Sequence, residues 1–167
     1  MSNRPAPKAM PVRPARPPIA NAATFQALDE THRRVMQTLG QLTLLADQLA
    51  AQGADGGARA LAGEICTFFD ETARAHHVAE EEFVFPALLS SGNAELVAHV
   101  KRLQQDHGWL EEDWLEIAPH LRAVAEGYNG YDPDFLRVAI PVYTELYRDH
   151  IALEETIVYP ASRSRQP

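Results

Sequence analysis

Two stretches of this 167-residue chain repeat one another: FDETARAHHVAEEEFVFPA at 69–87 and YTELYRDHIALEETIVYPA at 143–161. Each carries His-x-x-x-Glu, as His76 with Glu80 and His150 with Glu154. Around that motif Glu71 matches Glu145, Arg74 matches Arg148, Glu81 matches Glu155, and Pro86 matches Pro160. Phe69 matches Tyr143, and Phe85 matches Tyr159. Two helices that merely share a hydrophobic face do not need so much identity. Four-residue spacing puts the imidazole and the carboxylate on one helix face, a turn apart. Together they form the donor set of iron, manganese and zinc. One such motif alone reads as an exposed ion pair; two copies inside an extended repeat do not.

The repeat extends backwards. His32 lies 44 residues before His76, and His107 lies 43 before His150. Each half of the chain is therefore one helical hairpin, with a histidine on its first helix and His-x-x-x-Glu on its second. At a rise of about 1.5 Å per residue, counting outward from the three turns puts all four histidines in one layer, within about 3 Å for the first pair. Glu80 and Glu154 sit one turn from their own histidines. Buried carboxylates are costly unless paired or bound to a metal. Shared between two ions, with both glutamates bridging, the six side chains give each ion two imidazoles and two carboxylate oxygens. Positions then remain for solvent or a small ligand. The Glu-x-x-His motif of ferritin-like bundles is absent, since no glutamate lies three residues before any of the seven histidines.

The elements that must carry this layer are helices. Apolar residues recur at three- and four-residue spacing: Leu42, Leu45 and Leu49; Leu61, Ile65 and Phe68; Ile140, Tyr143 and Tyr147. The pattern predicts helices over 21–52, 58–89, 94–126 and from 132 to 160. Gly53 and Gly127 stop the first and third, and Asn93 and Asp132-Pro133 open the third and fourth. Pro119 and Pro141 fall inside helices and are expected to kink or interrupt them. Strand signals are absent. The fold class expected is all-α, an up-down-up-down four-helix bundle with a pseudo-twofold hairpin repeat.

Composition narrows the surroundings of the layer. Six of the twelve prolines fall in residues 1–18, with four basic residues and no acid. Residues 1–20 are therefore expected to be a disordered, proline-rich basic tail, residues 21–161 the bundle, and 162–167 a C-terminal tail. Of the net charge of −8, residues 19–167 carry −12. An acidic body argues against nucleic acid as partner and suits metal cations or a partner protein. No apolar run reaches the roughly 20 residues of a membrane span. One cysteine, Cys66, excludes an internal disulfide, and with no secretory leader a cytoplasmic location is expected.

Through the segments HHVAEEEFVFP and HIALEETIVYP the chain resembles the hemerythrin-like domains named for their His-His-Glu pattern, over about residues 24–161. The resemblance implies two iron ions, oxo- or hydroxo-bridged, with manganese or zinc as possible substitutes. Glu80 and Glu154 would bridge them, and His32, His76, His107 and His150 would be terminal ligands. Oxygen-carrying hemerythrins have a fifth histidine, four residues before the third-helix ligand; here Leu103 stands there. The six-ligand pattern resembles instead the iron-sensing and iron–sulfur-repair branches. What the resemblance implies is binding of dioxygen, nitric oxide or peroxide, in sensing or redox stress response. The alternatives are a di-iron enzyme (peroxidase-like, nitric-oxide-reducing or ferroxidase) or an iron donor or store.

The neighbours of these residues are read more plainly. His77 points about 100° away from His76 round the helix and is expected at the surface, or else behind the ligands or as an extra ligand. Glu81 and Glu155 are expected to accept hydrogen bonds behind the ligands or to be solvated. Tyr143 and Tyr147, on the face of His150, are expected in the core, with a hydroxyl aimed at a bound small molecule as the sharper reading. Trp109 and Trp114 are expected in the core or a groove, Cys66 buried, and His99 and His120 exposed.

Overall fold

The computed structural model describes residues 20–165. The proline-rich basic stretch before Ala20 and the last two residues lie outside that range. Helix α1 spans Ala22–Gln52. The second leg of the bundle is built from α2 (Gly56–Thr67), α3 (Arg74–Ala79) and α4 (Phe85–Leu89), joined by π-helical turns at Phe68–Ala73 and Glu80–Val84. Helix α5 spans Ala94–Glu126. The fourth leg is α6 (Pro133–Leu153), a π-helical turn at Glu154–Val158, and α7 (Tyr159–Arg163). No strand occurs among the described residues, and none of their helices is long and apolar enough to cross a membrane.

Local chemistry sets the ends of the legs. The Asn21 side chain accepts from Thr24 N–H at 2.9 Å, and Asp55 accepts from Ala58 N–H at 2.7 Å. Asn93 and Asp132 cap α5 and α6 in the same way. Asp55 thus opens the second leg two residues earlier than its hydrophobic pattern suggests. Gly127 closes α5 at φ 79°, a left-handed turn that suits glycine. The fourth leg runs past residue 161: Ser162 is buried and Arg163 pairs with Asp29 at 2.6 Å. Ala20 is likewise held, its N–H donating to the Phe83 carbonyl at 3.1 Å.

The prolines act differently from expectation. Pro119 and Pro141 interrupt nothing; α5 and α6 run through them. Pro86 and Pro160 do the visible work. A proline lacks the N–H for the i−4 carbonyl, and its ring crowds that carbonyl. Just before each, the turn widens, with Phe85 N–H bonded to Glu80 O and Tyr159 N–H to Glu154 O, five residues back.

In the ring of four legs, α1 packs on α2 and α6, and α5 packs on α2 and α6. The apolar interior falls into two clusters. One, around Leu39, Leu42, Ile65, Ile117, Leu121 and Ile140, fills the half that holds the first and third turns. The other, around Phe25, Leu28, Phe85, Leu88, Val100 and Leu103, fills the half that holds the second turn. Between the two lies a polar layer.

Candidate metal centre

The layer between the two apolar clusters holds His32, His76, Glu80, His107, His150 and Glu154, all buried, with both glutamates fully so. Each leg supplies one of these histidines. The two glutamates open the two proline-linked π turns, so each sits at a widened point of its helix.

Each carboxylate has one oxygen toward each of two imidazole pairs. Glu80 Oε1 is 3.3 Å from His76 Nε2, and Glu80 Oε2 is 3.3 Å from His107 Nε2. Glu154 Oε2 is 3.1 Å from His32 Nε2, and Glu154 Oε1 is 3.2 Å from His150 Nε2. The ring centroids of His32 and His76 are 4.7 Å apart, and those of His107 and His150 are 4.8 Å apart. The centre therefore has two poles, spanned twice by carboxylate.

Hydrogen bonding does not account for this arrangement. Glu80 Oε2, both Glu154 oxygens, and the Nε2 atoms of His107 and His150 are buried and lack a hydrogen-bond partner. Each such atom costs roughly 1–3 kcal/mol if left so, and native interiors hold few of them. A pair of cations between the oxygens and nitrogens would satisfy them together, so the donor set fits the two metal ions that the sequence pattern implies.

The imidazoles are held from behind. His32 Nδ1 meets Glu155 Oε1 at 3.0 Å, and His107 Nδ1 meets Glu81 Oε1 at 3.1 Å. An Nδ1–H donating outward leaves the Nε2 lone pair facing the centre. His150 Nδ1 lies 3.7 Å from Asp106 Oδ2. Burial favours the neutral form of Glu80, but the His76 charge and the close His107 and His76 imidazoles outweigh it and hold its carboxyl well below the usual range. Burial and the nearby Glu80 charge push Glu154 well above it.

His77 is a correction to its expected surface position. Its ligand atom and those of Glu80, His107 and His150 all lie within 4.8 Å of one another. His32, His76, Glu80 and Glu154 form a second such group. The widened turn at Phe68–Ala73 precedes it, and its ring stacks on His107 at 4.1 Å. Burial, together with the charges of His107 and His150, holds it well below the usual histidine range.

Tyr143 and Tyr147 are buried in the core, and Tyr147 stacks on His77 at 5.8 Å. Burial raises both phenols and keeps them protonated. Trp114 is buried and donates its indole N–H to Asp70 at 2.8 Å, whereas Trp109 is exposed, against expectation. Cys66 is a buried free thiol. His120 is not simply exposed: its Nδ1 accepts the Asp132 N–H at 3.0 Å and so ties α5 to the start of α6. His99, partly exposed, lies 3.9 Å from Glu95.

The sequence reading singles out neither Tyr159 nor Asp106. The Tyr159 hydroxyl donates to Glu80 Oε1 and lies 3.2 Å from His32 Nε2. Its ring stacks on His32 at 5.3 Å, as Phe85 stacks on His107 at 5.7 Å. The signal was the Phe-to-Tyr change at matched positions of the repeat. A cavity of about 420 Å³ opens between the second leg and α5, with Phe69, His77, His107, Trp114 and Tyr147 among its walls. It joins the His107 pole to the surface.

The family model described as Hemerythrin HHE cation binding domain matches residues 23–162. An uncharacterized protein of Haemophilus influenzae is 26% identical over 133 residues, covering 80% of this chain and 75% of its own. No solved structure matches.

Proposed function

Because the chain belongs to the hemerythrin HHE cation-binding family, we propose that it is a non-heme di-iron protein. It would bind dioxygen, or a related small ligand such as nitric oxide or peroxide, in oxygen or iron sensing or in redox stress response. One observation carries the reading: two fully buried carboxylates, each with one oxygen toward each of two imidazole pairs. Glu80 and Glu154 would bridge, and His32, His76, His107 and His150 would be terminal ligands. The same donors suit manganese and zinc; zinc would give the centre no redox chemistry, whereas iron would. When bound, two irons supply electrons and an open coordination position for the small ligand.

The chain's own side chains do the rest. Glu155 and Glu81 hold His32 and His107 in the tautomer whose Nε2 faces inward. Tyr159 holds a proton at the edge of Glu80, where it can orient a small ligand by hydrogen bonding. The apolar clusters above and below keep bulk water from the carboxylates, which strengthens their attraction for cations. The cavity offers a route from solvent. The acidic body and the lack of a membrane-spanning helix among the described residues favour neither nucleic acid nor a bilayer as partner. A sensing role would use a partner protein for output, in the cytoplasm.

The test is metal content per chain with an optical spectrum, taken before and after reduction and re-exposure to air. Two irons with a near-ultraviolet oxo-bridge band are expected, and the fate of that band in air separates ligand binding from turnover. A protein that takes up no iron, or a single zinc without colour change, overturns the reading.

A further inference from the structure

Two breaks in the repeat fall at the centre itself, and each serves a different pole. One is Tyr159 against Phe85; the other is His77 against Ile151. The fold does not require an imidazole at the second position, because the matched half of the bundle has an aliphatic side chain there, buried in the core. Yet His77 is set as carefully as any ligand. Its ring lies between His107 at 4.1 Å and Tyr147 at 5.8 Å, near-parallel to both. Tyr147 itself is matched by Ala73 in the other half, so the ring that steadies His77 is also particular to this pole. The Nε2 of His77 is buried and has no hydrogen-bond partner. A buried imidazole nitrogen left without a partner is a cost that packing alone gives no reason to keep.

We propose that His77 is a fifth histidine ligand, on the second leg, that makes the two metal positions unequal. The proposal rests on the di-metal reading above and extends it. The pole of His107 and His150 then has three imidazoles, and the pole of His32 and His76 has two. His77 and His107 also line the cavity, so His77 closes the coordination position that faces solvent. The more open position is left at the other pole, next to the Tyr159 hydroxyl. Adjacent histidines, which sequence spacing assigns to different helix faces, thereby serve different metals: His76 one pole and His77 the other.

The experiment compares wild type with His77→Gln and His77→Ala, each stripped and reloaded with ferrous iron alone. Iron per chain, the affinity for each ion and the Mössbauer spectrum are read. Wild type is expected to take two irons in two distinguishable environments. In both variants the second ion is expected to bind more weakly by at least about tenfold, since losing even an outer partner of a ligand costs that much. The two environments should also become alike. Free imidazole, entering through the cavity, should restore the second environment in His77→Ala, which a packing role would not do. Variants that bind two irons with wild-type affinity and an unchanged spectrum overturn the proposal and leave the di-iron reading intact. A wild type that binds fewer than two irons removes the premise of both.

Discussion

Replacing Tyr159 by phenylalanine isolates one hydroxyl. The ring is not expected to move, because Phe25 meets it edge-on at 5.5 Å and His32 stacks on it at 5.3 Å. The bundle already accepts a phenylalanine in this geometry at Phe85, over His107. What is lost is a donor to Glu80, a carboxylate that is fully buried and held ionised without metal. Hydrogen bonds to charged groups contribute about 1.5–3 kcal/mol. For a chain of this size each kcal/mol moves the melting temperature by roughly 2–4 °C. Metal-free Tyr159→Phe should therefore melt about 3–12 °C below metal-free wild type by circular dichroism. With metal bound, cations meet the Glu80 charge and the deficit should shrink. Burial and the Glu80 and Glu154 charges hold the phenol protonated far into the alkaline range, so the difference should not vary between pH 6 and pH 9. A metal-free variant within about 1 °C of wild type would refute the claim that this hydroxyl stabilises the bare carboxylate.

Three further outcomes follow from other parts of the molecule. Metal should stabilise the fold: at about a thousandfold excess over its dissociation constant an ion adds roughly 4 kcal/mol, or some 8–16 °C, and a melt with and without ferrous iron or zinc checks this. Asp70 opposes its burial with hydrogen bonds from Arg122 and Trp114, which hold its carboxyl below the usual value. Its contribution is thus fully present above the unfolded value of about 3.9 and is lost as pH falls through the lower folded value, so Asp70→Asn should reduce the melting temperature at pH 7 and lose that deficit under strong acid. Burial pushes the Cys66 thiol up to about 11, so a thiol reagent at pH 8 should label it only after denaturant unfolds the chain.

The helix order and the gathering of six central side chains in one layer were legible because they depend on spacing. Histidines at matched distances from three turns must fall level in antiparallel helices, whatever the rest of the sequence does. Spacing fails where the helix stops being regular. The 100° step from His76 to His77 sends the second ring to the surface only in an unbroken α-helix. Here a widened turn at Phe68–Ala73 precedes the pair and another at Glu80–Val84 follows it. The direction of a side chain then depends on its neighbours as much as on its number. Asp106 was missed for a different reason. Its position beside His107 says nothing of contact with His150, which is a matter of how α5 and α6 pack.

Pro86 and Pro160 show how a repeat can fix a polar layer without full symmetry in its side chains. Each removes one backbone donor and forces the preceding turn to bond five residues back, to the carbonyl of a glutamate. That glutamate is also the side chain whose two oxygens face the two poles. The proline therefore acts on the carboxylate through the backbone, at a distance of six residues, and does so identically in both halves. Beside the centre the halves differ in side chains, as His77 for Ile151 and Tyr159 for Phe85, and the second leg has an extra widened turn at Phe68–Ala73. Neither change touches the turn that places the two glutamates. The backbone device supplies a symmetric pair of carboxylates, and side-chain substitutions on either side of it are free to make one pole richer in imidazole and the other richer in a proton donor. A centre that only stored metal would gain nothing from that inequality. One that receives a small ligand at a chosen position would.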